Sequence, residues 1–122
     1  MKKRKLSDRV IEYILSCDNK DIASLTIKQI ANTFSVSQSF LYRKFKSEKY
    51  FSLGEFLLKE KMFRAATLLL ENQKLPVKVV TEMIGFSTSD YFIRVFKKHY
   101  GVCPNLYRKC KQRGNHVDPP VD

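Results

Sequence analysis

With 122 residues and 43% apolar content, the chain can close one compact domain, or two small ones, around its own cores, which excludes wholesale disorder. Its 23 Lys and Arg against 12 Asp and Glu leave a formal charge of +11, and the natural compensating partner of so basic a body is a polyanion, nucleic acid ahead of an anionic membrane surface. No apolar run approaches the ~18 residues that span a bilayer, and polar Ser7 and Asp8 stand where a signal-peptide core would begin. Cys17, Cys103 and Cys110 lack the paired spacing of a zinc site, so the expectation is a cytoplasmic chain with reduced cysteines, no metal, no cofactor and no membrane partner.

Apolar residues recur at spacings of three and four with almost no period-two alternation, so the fold class is all-α, with about seven helices. A basic arm covers residues 1–6, and Lys2 to Lys5 are placed to reach a phosphate backbone or simply to stay solvated. A first subdomain, 7–51, opens on a helix capped by Ser7 or Asp8, with Val10, Ile11, Ile14 and Leu15 on one face, ending near Asp18. Thr26 caps a second helix bearing Ile27, Ile30, Ala31 and Phe34; after a turn at Ser35 and Val36, Ser37 caps a third that runs to about Ser47. Ser52 then caps a linker helix within 52–73, whose apolar residues from Leu53 to Leu69 spread around it; at about 1.5 Å per residue its eighteen or so residues make a rod on the order of 27 Å long.

The second subdomain, 74–112, repeats the plan. Pro76 opens the fifth helix, Gly85 ends it by adopting positive φ, and Thr88 or Ser87 caps the sixth, which runs to His99 or Tyr100 before Gly101 breaks it. Pro104 opens a last short helix, and residues 113–122, with Pro119 and Pro120, read as a disordered tail.

The repetition can be followed residue by residue. With a shift of fifty, Ile27, Ile30, Ala31, Phe34 and Ser35 fall on Val77, Val80, Thr81, Ile84 and Gly85; past the turn the shift is fifty-one, and Phe40, Leu41, Arg43, Phe45 and Lys46 fall on Tyr91, Phe92, Arg94, Phe96 and Lys97. Each copy has the apolar spacing and mid-segment turn of a helix-turn-helix, a motif whose second helix enters the DNA major groove.

The buried face of the first such helix is expected to hold Phe40, Leu41 and Phe45, turning Gln38, Ser39, Tyr42, Arg43 and Lys46 outward. In the second copy Tyr91, Phe92, Val95 and Phe96 face inward, leaving Ser89, Asp90, Ile93, Arg94 and Lys97 outward. Arg donates two hydrogen bonds to guanine O6 and N7, so Arg43 and Arg94 are the first candidates for base reading. Tyr42 suits a thymine methyl or a phosphate, and Asp90 suits a cytosine amino group or orients Arg94 four residues on. Phosphate anchors are Lys46, Lys97 and Lys98, with the helix N-termini at Ser37 and Gln38 and at Thr88. Two reading helices on one chain remove the need for a dimer: spaced near 34 Å, they enter successive major grooves on one face of double-stranded DNA, and the chain works as a monomer.

From about Ser7 to Arg108 the chain resembles the DNA-binding domain of the AraC/XylS family of bacterial transcription regulators. Ile84-Gly85-Phe86, Asp90 to Lys98, Tyr100 to Pro104 and Tyr107-Arg108 carry the resemblance in the second unit; Ile30-Ala31, Ser37, Leu41, Arg43 and Phe45-Lys46 carry it in the first. It implies two helix-turn-helix subdomains joined by a helix, activation of transcription beside RNA polymerase, and base-reading stations at Ser39, Tyr42 and Arg43 and at Ser89, Asp90 and Arg94. Departures are Ser35 for the usual turn glycine, which costs roughly 1 kcal/mol if left-handed, Thr81 for a small alanine, Lys61 for an arginine and Tyr50 for a glycine. Many members carry an effector-binding domain ahead of this one. The chain is then either a single-domain regulator controlled by its abundance or the excised end of a longer protein, the starting Met leaning toward the first.

The enzyme reading finds no constellation: His99 and His116 stand apart from any nucleophile signature, Glu55, Glu60 and Glu71 form no pair, and Cys103 has no activating partner in view. A nonspecific nucleoid-type protein would use the same charge and is the remaining alternative.

Overall fold

The structure, a computed structural model, describes residues 4–112. Lys2, Lys3, His116 and the expected tail, 113–122, lie outside the described residues. Eight helices follow in order: α1 Leu6–Ser16, α2 Asn19–Ser24, α3 Ile27–Thr33, α4 Gln38–Glu48, α5 Leu53–Glu71, α6 Val77–Met83, α7 Ser89–Tyr100 and α8 Pro104–Gln112. The chain divides into two compact units, Met1–Glu60 and Lys61–Asp122, the division falling within α5.

The eighth helix, beyond the seven expected, is α2. It is a short segment begun by Asp18, whose carboxylate accepts from the Asp21 amide at 2.8 Å, and Ile22 is its buried anchor. Its two apolar residues, Ile22 and Ala23, are adjacent and carry no helical period, so patterning could not reveal it.

In the first unit α1 begins at Leu6 with Lys5 in the capping position, not at Ser7 or Asp8, and it ends at Ser16. Neither side chain caps the helix. Ser7 is fully buried and its amide donates to Glu48 Oε1 at 2.9 Å, while Asp8 Oδ1 accepts from Lys49 Nζ at 2.6 Å, so two groups at the end of α4 hold the start of α1. Lys49 holds the Asp8 carboxyl below its ordinary pKa. Burial works to raise the Glu48 carboxyl, but the Ser7 amide and the nearby Lys44 outweigh it and the net shift is downward. Val10, Ile14, Ile22, Ile30, Leu41 and Phe45 are the innermost members of the core, with Leu53 beside them. Phe51 and Phe56 stack at 6.1 Å and both lie against Phe45, closing this unit at the start of α5. Ser52 caps α5, its hydroxyl accepting from the Glu55 amide at 3.1 Å.

Val80, Ile84, Phe92, Phe96 and Tyr107 are buried in the second unit. Tyr107 meets Phe96 edge-on at 5.4 Å, and this contact helps seat α8 against α7. Arg108 on α8 then reaches the end of α5 and the segment after it: its Nε donates to the Leu69 carbonyl at 3.0 Å and its terminal nitrogen to the Leu75 carbonyl at 2.6 Å, with Asn72 at 3.5 Å. The last carbonyls of a helix have no partners within it, so at Leu69 this guanidinium satisfies a group that would otherwise need water.

Candidate nucleic-acid interface

The two turns are built alike. In the first, Val36 N–H donates to the Ala31 carbonyl at 3.0 Å and Ser35 N–H to that of Asn32 at 3.1 Å; in the second, Phe86 N–H donates to Thr81 at 3.0 Å and Gly85 N–H to Glu82 at 3.0 Å. These paired bonds are the Schellman closure, which needs a left-handed residue after the helix. Gly85 supplies it at φ 88°, and Ser35 supplies it at φ 57°, the one positive-φ residue other than glycine among those described. The duplication read from side-chain identities is therefore also a duplication of backbone hydrogen bonds. Thr81, in the alanine position, is buried and its hydroxyl donates to the Val77 carbonyl at 2.9 Å, which satisfies the polar group its substitution brings.

Hydroxyls start three of these helices. Thr26 begins α3 with a reciprocal box, its hydroxyl accepting from the Gln29 amide at 3.2 Å while the Gln29 side chain accepts from the Thr26 amide at 3.0 Å. Ser37 accepts from the Phe40 amide at 3.1 Å to open α4, and Thr88 from the Tyr91 amide at 3.2 Å to open α7.

On α4, Leu41 and Phe45 are fully buried, and Ser37, Gln38, Ser39, Tyr42, Arg43 and Lys46 are exposed. Phe40 is not on the buried face as expected: it is 43% exposed. Leu41 and Phe45, one turn apart, define the inward direction, and Phe40 lies one residue, or about 100°, away from it. Arg43 is braced on its own helix, its Nε donating to the Ser39 carbonyl at 3.3 Å.

On α7, Phe92, Val95 and Phe96 are buried, and Thr88, Asp90, Arg94, Lys97 and Lys98 are exposed. Ser89 and Ile93, expected outward, are half-buried. Tyr91, expected inward, is 45% exposed for the same reason as Phe40. Its ring packs on Phe86 with centroids 5.4 Å apart, and the Arg94 guanidinium lies over the ring, 5.4 Å from its centroid. The spacing of three puts Tyr91 and Arg94 on one side of the helix, a signal present in the sequence but masked by the apolar match of Tyr91 to Phe40. Arg94 thus meets a ring rather than the Asp90 carboxylate. Lys97, Lys98 and His99 occupy the last turn, where the helix dipole favours cations.

Apart from half-buried Ser89, the expected stations are exposed, one set on each unit. Arg4 of the basic arm pairs with Glu12, and Lys5 is exposed at the start of α1. Among the described residues, no group of three His, Cys, Asp or Glu side chains is placed to hold a metal ion, and no helix is long and apolar enough to cross a membrane.

A family model described as a helix-turn-helix domain matches residues 30–110. The transcriptional activator AggR of Escherichia coli is 38% identical over 102 residues, covering 83% of this chain and 36% of AggR, so the chain spans little more than a third of that relative's length. The multiple antibiotic resistance protein MarA of Escherichia coli (strain K12) is 29% identical over 115 residues, 93% of this chain and 90% of MarA. Among solved structures, the C-terminal domain of AraT, a response regulator from Geobacillus stearothermophilus, aligns with a TM-score of 0.76 and 32% identity, covering 100% of this chain and 95% of that one.

Proposed function

The chain belongs to the AraC/XylS family of helix-turn-helix regulators, and from that membership we infer that it is a sequence-specific regulator of transcription that binds double-stranded DNA. The observation that carries the reading is the division of α4 and α7 into a buried apolar face and an exposed face bearing Arg43 and Lys46 on one helix and Arg94, Lys97 and Lys98 on the other. A helix anchored along one side presents the opposite side to a groove at no cost to its core.

In this proposal each helix enters a major groove, the two grooves being successive, and one molecule suffices for a site of about two helical turns. Arg43 and Arg94 read guanine, and Ser39, Tyr42, Ser89 and Asp90 contact neighbouring bases. Ser37, Gln38, Lys46, Thr88, Lys97 and Lys98 hold phosphates, the N-terminal amides of the two helices adding donors. Transcription is activated through contact with RNA polymerase in the cytoplasm; the name of AggR, an activator, supports the direction of control.

The test is competition followed by two substitutions. Binding to the preferred site should survive excess unrelated DNA, as specific sites are typically about 10³-fold or more tighter than nonspecific ones. Arg94→Ala should relax base preference within one half-site, whereas Lys98→Ala should weaken every sequence alike and lower the salt slope by about one. Equal competition by unrelated DNA would instead identify a nucleoid-type binder.

A further inference from the structure

Arg94 is expected to read a base, yet a lone arginine on a helix surface samples many rotamers, and a two-bond contact to guanine needs its flat fork held in one plane. The surroundings of Arg94 supply a surface that does this. Tyr91, one turn earlier, presents its ring to the guanidinium at 5.4 Å. That ring is not itself free to swing: it packs on Phe86 at 5.4 Å, and Phe86 meets the fully buried Phe92 edge-on at 5.6 Å. A line of three aromatic rings therefore runs from the core of the second unit to the underside of a surface arginine.

Stacking engages the face of a guanidinium and leaves its five edge N–H donors available. Arg43 is braced differently, since the bond from its Nε to the Ser39 carbonyl removes one donor from the fork. Arg94 keeps all of its donors while being oriented, which is what a two-bond base contact requires.

We propose that Tyr91 is a specificity-determining positioning residue: its ring, wedged on Phe86, holds the Arg94 guanidinium ready for a base edge. The inference rests on the reading of Arg94 as a base contact. It assigns to Tyr91 no contact with DNA of its own, and it makes the aromatic ring, not the phenol hydroxyl, the active part.

The experiment compares the full chain with Tyr91→Phe, Tyr91→Leu and Arg94→Ala on two duplexes: the preferred site, and the same site changed at the base pair where Arg94→Ala loses its preference. The ratio of affinities is the readout, because both duplexes meet the same protein preparation and partial unfolding cancels. Tyr91→Leu should lower the ratio by about twofold to fivefold, the range for an exposed cation–π contact, and Tyr91→Phe should leave it unchanged. In the DNA-free protein, the Arg94 Nε proton should lie upfield in the NMR spectrum and move downfield in Tyr91→Leu. A ratio that is unmoved by Tyr91→Leu, or a Tyr91→Phe loss equal to that of Tyr91→Leu, overturns the inference while leaving Arg94 as a base reader. An Arg94→Ala protein with no altered preference at any base pair overturns the parent reading and this inference with it.

Discussion

Ser35 and Gly85 occupy one position in two copies of one turn, and exchanging their residue types separates backbone strain from everything else at the site. Both are left-handed, at φ 57° and 88°, both close the same pair of backbone hydrogen bonds, and both are exposed, so neither substitution alters a core contact. A left-handed residue with a Cβ costs about 1–2 kcal/mol. Glycine offsets part of this through the extra freedom it gives the unfolded chain, about 0.4–1 kcal/mol. Ser35→Gly is therefore expected to stabilise the first unit by about 0.5–1 kcal/mol, and Gly85→Ser to destabilise the second by a similar amount. For a unit of this size that is a shift of the thermal midpoint of about 2–8 °C in each direction. Urea unfolding followed by circular dichroism, with the slope unchanged between variants, measures both. A Ser35→Gly midpoint at or below that of the parent chain would refute the claim that the first turn is strained. The copies would then be alike in hydrogen bonding but not in energy.

Arg108→Ala removes two good charge-assisted bonds, to Leu69 at the end of α5 and to Leu75 beyond it, and should cost the second unit about 2–4 kcal/mol in urea unfolding; Arg108→Lys, which cannot reach both carbonyls in one plane, should fall between. Acid should loosen the first unit: the Asp8 and Glu48 carboxyls lie below their ordinary values of 3.8 and 4.5, so the stability they contribute is present above those values and is lost as pH falls below them through the folded-state pKa values. The double variant Asp8→Asn with Glu48→Gln should flatten that part of the pH–stability curve, and an unchanged acid limb would show that other groups set it. Thr26→Ala breaks the reciprocal cap of α3 and should cost about 0.5–2 kcal/mol, read as earlier hydrogen exchange at the first amides of α3.

The contrast between Thr26 and Ser7 shows where sequence reasoning succeeds and where it stops. Thr26 caps α3 because its partner, Gln29, is three residues away, and such a bond depends on local spacing alone. Ser7 looked like a cap by the same rule, but its amide belongs to Glu48, forty-one residues on, and α1 extends past it to Leu6. Nothing local announces that partner. Phe40 and Tyr91 fail for a related reason: apolar character marked them for the interior, whereas the direction of burial is set by which residues pair across α3 and α4 or α6 and α7.

Periodicity, capping residues and the offset duplication of residues 26–46 were enough by themselves to determine an all-α chain with two helix-turn-helix units and an outward set centred on Arg43 and Arg94, because helical register and turn chemistry are short-range properties. Tertiary structure decided what long-range packing alone can: the clasp of Ser7 and Asp8 by the end of α4, and the grip of Arg108 on Leu69 in α5 and on Leu75 beyond it. Those contacts depend on where a separate element lies, and no residue carries that information in its neighbours along the chain.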